Sequence, residues 1–422
     1  MSTSTPPDRV EPRPTAGLRG ASWNVDRLPA GMRTTVAAVP THDGAQITGY
    51  LHACGGEKTV VVIMHPRELL VTHYLVPYIV AAGYACWVQG PRTVGNDIRL
   101  EHEVALLDVA AGLQHLQTLG FDKTVLLGNS GGASLFAFYN QQASLGPEQR
   151  LSRTPGMRPV KLGEAPMPAV DGLVFVAPHP GQGRLLMNCI DPSVTDEARP
   201  LQLDATLNPF LEANGFRPRP QSSQYTPAFA ERYRAAQRAR VARIDASAKK
   251  VIADRLAARG RAKAGGSEQD TMEGAFNAIF EVWRTDADLR AFDLTMDASD
   301  RRWGTVWGAD PAASNLGAVG FGRVCTAESW LSTWSGLASN ASFDKCGAAI
   351  TQPALMVYYT GDNTVFPSDA DEIYSQIAAK DKARVNVKGN HHGHALAAGD
   401  VWPQDVAGAA IAGWLQARFP VR

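Results

Sequence analysis

Apolar positions follow two periods along this chain. Short, unbroken β-branched or aliphatic runs at 58–64 (KTVVVIM), 84–89, 123–127 (KTVLL), 172–177 (GLVFVA), 354–359 (ALMVYY) and 384–387 read as strands buried on both faces. Between them, 74–82, 100–119, 133–143, 369–379 and 404–417 read as helices; in 100–119, Val104, Leu107, Ala111 and Leu116 recur near one face. Ahead of these, 34–39 and 46–53 flank His42-Asp43-Gly44, and an Asp-Gly pair between β-rich runs predicts a hairpin. Strand and helix therefore alternate, which implies right-handed crossovers and a mostly parallel sheet with helices on both faces, an α/β fold.

The alternation stops after 177 and resumes only at 354. This divides the chain into a Pro- and Ser-rich flexible tail at 1–30, a first core part at 31–180, a mainly helical insertion at 181–345 after the sixth core strand, and a second core part at 346–422. The insertion has two distinctive stretches. Residues 230–265 are helix-forming and carry eleven Lys/Arg against three Asp/Glu. Tyr233 is the only aromatic there, so base-stacking residues are lacking and a solvated helix face is the expectation, with an oligomer contact such as a homodimer's, or an anion site, as the alternatives. Farther on, Trp303/Trp307 and Trp330/Trp334 have i,i+4 spacing; on helices each pair would share a face, either as the core of the insertion or as an apolar wall over a substrate pocket.

Composition narrows the function classes. Forty-one basic residues cancel forty-one acidic ones, so the chain as a whole has no electrostatic drive toward nucleic acid or an anionic membrane. A small-molecule substrate, neutral or apolar, fits better. The five cysteines lack CxxC spacing and read as reduced, mostly buried thiols. The first twenty residues hold no apolar h-region and no stretch of 18 apolar residues occurs, so the expected location is cytoplasmic, without a membrane span.

The chemistry concentrates at Gly128-Asn129-Ser130-Gly131-Gly132, a G-x-S-x-G pentapeptide between an apolar strand and an apolar helix. A sharp strand-to-helix turn leaves little room for side chains, and it lifts the Ser130 hydroxyl to a helix N-terminus, where backbone N–H groups favour a developing oxyanion. Such a serine needs a base, and the base an orienting acid. Loops after the later strands supply both: Asp362 directly follows ALMVYY, and His391, His392 and His394 follow RVNV.

With these residues in this order the chain resembles the serine-nucleophile branch of the α/β-hydrolase superfamily, over about 35–180 and 346–422. The resemblance implies Ser130 as nucleophile and Asp362 as acid, followed by Val-Phe-Pro where family members often carry Val-Pro. A glycine often stands three residues before that family's histidine, which selects His392. A shorter loop would select His391, and His394 is third. Gly131 and Arg67 would supply the oxyanion N–H groups; Pro66, where many members carry glycine, has none to give. His65 is expected to orient this loop, and His179 to contact substrate. The three loop histidines lack a carboxylate–histidine spacing that would suggest a metal, so neither metal nor cofactor is implied. Serine at the elbow, rather than the Asp of haloalkane dehalogenases and epoxide hydrolases or the Cys of dienelactone hydrolases, points to acyl chemistry. The expected function is hydrolysis of a carboxylic ester or thioester through an acyl-enzyme on Ser130. C–C bond hydrolysis, amide hydrolysis and acyl transfer use the same triad, and a non-catalytic binding protein of the same fold is the rival from another class.

Overall fold

The computed structural model describes residues 23–95 and 97–422. The expected tail at 1–30 lies outside the described residues up to 22. From there Trp23 is seated on the sheet, its N–H donating to the Thr72 carbonyl at 2.7 Å.

Eight strands form the central sheet: β1 (Arg33–Pro40), β2 (Gln46–Ala53), β3 (Thr59–Met64), β4 (Ala85–Gln89), β5 (Lys123–Asn129) and β6 (Gly172–Val176) from the first part of the chain, and two more after a long interruption. Within the interruption a small antiparallel ribbon pairs β7 (Ile279–Glu281) with β8 (Val324–Thr326). The sheet is completed by β9 (Ala354–Tyr359) and β10 (Lys382–Val387), in the order β1-β2-β4-β3-β5-β6-β9-β10. Only β2 runs against the others, pairing antiparallel with both β1 and β4. Alternate residues of the buried strands feed two cores. On β3, Val60, Val62 and Met64 join one core and Val61 and Ile63 the other; on β9, Ala354, Met356 and Tyr358 oppose Leu355, Val357 and Tyr359. Helices α1 (Val76–Ala81) and Pro403–Gln416 cover one face, α2 (His102–Thr118) and α3 (Gly131–Ser144) the other. Each fully buried Val, Leu or Ile contributes about 1.5–3 kcal/mol relative to exposure, so continuous apolar strands are stable only under two covered faces.

Between β6 and β9 the chain forms α4 (Gln182–Cys189) and the 37-residue α5 (Pro227–Lys263), but 191–211 and 293–310 are irregular. Ala341, Phe343 and Cys346 pack into the sheet's own core, so the chain rejoins the sheet a few residues before the expected boundary at 346. Helix α5 begins on a Thr226 cap, with Pro227 in its first turn where the missing N–H costs nothing. Phe229, Tyr233, Gln237, Val241, Ile244, Ala248 and Ile252 form its buried stripe. The basic run is only partly a solvated face. Arg232, Arg238, Lys249 and Lys250 are exposed, whereas Arg240, 1% exposed, grips Glu197 at 2.6 Å and the Asp191 carbonyl at 2.7 Å. Arg234 pairs with Asp288 at 2.6 Å, and Arg255 with Glu328. These arginines tie earlier and later parts of the interruption to the helix. Among the described residues no helix is long and apolar enough to cross a membrane, and all five cysteines are free, with only Cys54 exposed.

One buried acid joins α2 to the interrupting segment. Glu103 is fully buried and accepts from Ser332 Oγ at 2.5 Å and Asn340 Nδ2 at 2.9 Å. Burial outweighs these bonds and pushes its carboxyl up to about 7. Between the unfolded value of 4.5 and about 7 the folded chain therefore binds the extra proton, and folding stability falls as pH rises through that window, by up to about 3 kcal/mol. Glu103→Gln cannot ionise; its Oε1 still accepts from Asn340 Nδ2, and its NH₂ donates to Ser332 Oγ where the carboxylate accepted. Denaturant unfolding at pH 5 and pH 8 should show that fall in the parent chain and a smaller one in the variant; equal pH slopes would refute it.

Candidate active site

Strand β5 ends at Asn129 and α3 starts at Gly131, so Ser130 alone makes the turn, at φ 56° and ψ −122°. A non-glycine residue there is strained by about 1–3 kcal/mol and persists only when its surroundings hold it. Ser130 N–H donates to the Val176 carbonyl at 2.9 Å, and its own carbonyl accepts from His179 N–H and Ala133 N–H, both at 3.1 Å. The flanking glycines are required by close approach. A Cβ on Gly128 would lie 2.5 Å from Ala133 Cα, and one on Gly132 would lie 2.4 Å from the Met64 carbonyl oxygen. As the first residue of α3, Gly131 has an N–H without an intrahelical acceptor.

Asp362 and His391 arrive from the neighbouring strand ends. Asp362, fully buried after β9, accepts through Oδ1 from the N–H groups of Thr364 (2.7 Å) and Val365 (3.1 Å). Its Oδ2 accepts from His391 Nδ1 at 2.6 Å, and His391 Nε2 lies 3.0 Å from Ser130 Oγ. Asp369 lies in the first turn of the following helix, Pro367–Gln376, and Asp371 just beyond that turn.

The position expected of His392 is thus held by His391. The reason is Asn390, whose side-chain oxygen accepts from the N–H groups of His392 (3.0 Å) and His394 (2.9 Å), while Gly393 N–H returns to its carbonyl at 2.9 Å. That turn, with Gly393 at φ 68°, shortens the loop and raises His391 at its first corner. His392 sits beside it, edge-on to His391 with ring centres 5.1 Å apart, and lines the same cavity. His394 lies beyond, against Trp402. The Asn-x-x-Gly turn was the available sequence signal. Among the described residues no three His, Cys, Asp or Glu side chains converge as a metal site.

Arg67 departs from expectation too. Its backbone N–H donates to His65 Nδ1 at 3.2 Å, and its guanidinium pairs with Asp97 at 2.6 Å while lying 4.9 Å from the Trp334 ring. The N–H expected at the oxyanion is therefore already engaged. Burial first, and then the Arg67 charge, push His65 down to about 3, which leaves its ring a neutral acceptor and a clamp on this loop.

His179 stands where the sequence placed it, at the end of β6, but it touches Ser130 itself. Its Nε2 is 2.9 Å from Ser130 Oγ, its Nδ1 donates to Gln182 Oε1 at 3.1 Å, and its ring stacks on His391 with centres 5.4 Å apart. Burial and the neighbouring His391 hold it well below the usual histidine range.

Around these residues lies a cavity lined by Val306, Trp307 and Phe321, and by Arg67 and Glu68. Of the four tryptophans expected as a wall, Trp307 alone faces it. Trp303 packs with Phe216 and Phe292, and Trp330 and Trp334 are fully buried in the core of the interrupting segment, where Trp330 donates to Asp245 at 2.7 Å. Neither pair lies on an α-helix: 303 and 307 flank turns, and Trp330–Trp334 is a single π-helical turn. The i,i+4 spacing was legible, but the packing partners come from elements distant in sequence, α4 and α5 among them.

A sheet with one antiparallel strand near its edge and a strained serine between β5 and α3 define an α/β-hydrolase fold. No protein-family model and no curated protein matches the sequence. Solved structures to which the chain is similar include DcsB in complex with a substrate analogue, at 14% identity and TM-score 0.48, covering 92% of this chain and 100% of that one. The Pyrococcus furiosus esterase Pf2001 is 10% identical at TM-score 0.43, covering 92% of each chain. The α/β-hydrolase GrgF from Penicillium sp. sh18 is 12% identical at TM-score 0.44, covering 92% and 99%.

Proposed function

We propose that the protein is a serine hydrolase that cleaves a carboxylic ester or thioester of a small to medium apolar molecule. The observation that carries this reading is the unbroken relay Asp362–His391–Ser130, at 2.6 and 3.0 Å, on a strained elbow. A binding protein that merely kept the fold has no need of such a relay, and the strain would serve nothing. Asp362, acceptor-only, keeps the proton of His391 on Nδ1 and leaves Nε2 with a lone pair facing the hydroxyl. As Ser130 Oγ attacks the carbonyl carbon, His391 takes its proton, and Asp362 stabilises the imidazolium that forms. His391 then protonates the leaving alcohol or thiol. Water, deprotonated by the same imidazole, releases the acid from Ser130.

We assign segment 181–345 the role of a lid, since it contributes Val306, Trp307 and Phe321 to the cavity wall. Those side chains favour an apolar acyl or leaving group. The test is a panel of acyl esters, thioesters and amides assayed with the parent chain and with Ser130→Ala. Turnover of an ester or thioester, reduced at least about 10³-fold in the variant, is the expected result; unchanged turnover in Ser130→Ala would remove the nucleophile, and amides hydrolysed in preference would reassign the substrate class.

A further inference from the structure

An oxyanion needs two converging donors, and the structure leaves one place open. Gly131 N–H is available at the start of α3. The second donor expected from the loop after β3 is not, because Arg67 N–H is bound to the His65 ring at 3.2 Å and Pro66 has no N–H. Opposite that loop stands Gln182, 1% exposed and part of the cavity wall beside Ser130. Its Nε2 approaches to 2.7 Å from where a Cβ on Gly131 would be, which places this amide nitrogen against the backbone of the residue that carries the first donor.

Two features fix the amide. Gly181, at φ 149°, has no room for a side chain, since a Cβ would lie 2.7 Å from the Ala341 carbonyl; the chain can thus turn sharply after β6 and begin α4 at Gln182. The Oε1 of Gln182 accepts from His179 Nδ1 at 3.1 Å, so its NH₂ group is the end left facing the cavity. His179 is in turn held between this oxygen, Ser130 Oγ and the His391 ring.

We infer that Gln182 is a catalytic residue, the second oxyanion donor, with its side-chain amide taking the place of the backbone N–H that Arg67 gives to His65. This rests on the serine-hydrolase reading above. His179 acts through it as a positioning residue. It also explains why two imidazoles can face one hydroxyl without both serving as base: His179 leans on a neutral amide, which cannot stabilise an imidazolium, whereas His391 leans on the Asp362 carboxylate.

Gln182→Met keeps length and volume and removes the donor. Removing one oxyanion donor costs about 10²–10³ in kcat, so that loss is expected with KM changed less than threefold. Gln182→Glu retains an acceptor for His179 but presents a carboxylate oxygen to the oxyanion, and kcat should fall at least as far. A trifluoromethyl ketone bearing the best acyl chain, which forms a tetrahedral oxyanion on serine, should lose affinity in both variants by about the factor lost in kcat/KM. A residue that served only to pack would not move the two in parallel. Circular dichroism and thermal unfolding show whether each variant is folded. Parent-like kcat in a folded Gln182→Met or Gln182→Glu, with Ser130→Ala inactive, would overturn the Gln182 assignment alone; activity in Ser130→Ala would overturn the serine reading and this inference with it.

Discussion

His391→Ala should lower kcat on the best substrate of the ester panel by at least about 10³-fold, while His392→Ala changes kcat by less than about tenfold and acts mainly on KM. The difference lies in what each ring touches. His391 joins the Asp362 carboxylate to Ser130 Oγ, so under the proposed mechanism its loss removes both general base and general acid, functions worth about 10²–10⁴ together with the orientation they require. His179, the other imidazole at 2.9 Å from the hydroxyl, cannot replace it: burial holds it well below the usual histidine range, and its outer nitrogen meets only the Gln182 oxygen. His392 lines the cavity, where its truncation widens the space near the acyl group. Steady-state kinetics of the two alanine variants decide the matter. A larger kcat loss in His392→Ala than in His391→Ala would mean that the loop rearranges when substrate binds.

Why the histidine was hard to choose from the sequence, while the serine was not, comes down to how local the determinants are. The elbow is legible because its requirement is steric and contiguous: a Cβ on Gly128 or Gly132 would come within 2.5 Å of a backbone atom. The strands β3 and β9 are legible for a similar reason, since a run of apolar residues needs two covered faces wherever it lies. Asp362 stands three residues past the end of β9, in the short loop that the strand's end predicts. The histidine depends on one side chain, Asn390, folding back on two N–H groups and changing the loop's length by one residue. Arg67 depends on a ring two residues away that captures its N–H, a contact that only the loop's conformation reveals. The arginines of α5 and the tryptophans at 330 and 334 find partners far off in sequence, about which periodicity is silent. Gln182 carried no signal of its own beyond standing three residues after His179.

Asp362→Asn should be among the most damaging conservative changes in the chain, with kcat down about 10⁴-fold and KM little altered. The argument begins on the far side of the carboxylate. Oδ1 of Asp362 receives the N–H groups of Thr364 and Val365, at 2.7 and 3.1 Å, in a fully buried site. An amide placed there must keep its oxygen toward those two donors, because turning the NH₂ group against them would leave three buried donors without an acceptor, at about 1–3 kcal/mol for each group stranded. The NH₂ then faces His391 Nδ1, which becomes the acceptor, and the imidazole proton moves to Nε2. From there it points at Ser130 Oγ, and the serine faces a donor in place of its base. Fold and cavity are unchanged, so substrate binds and waits. Asp362→Ala, which imposes no tautomer on the ring, should lose no more than Asp362→Asn despite being the larger truncation. Nitrogen-15 shifts of His391 read the cause directly: the proton on Nδ1 in the parent chain, on Nε2 in the variant. Should Asp362→Asn retain more than a tenth of parent kcat, or keep the proton on Nδ1, the relay would not work as its geometry implies.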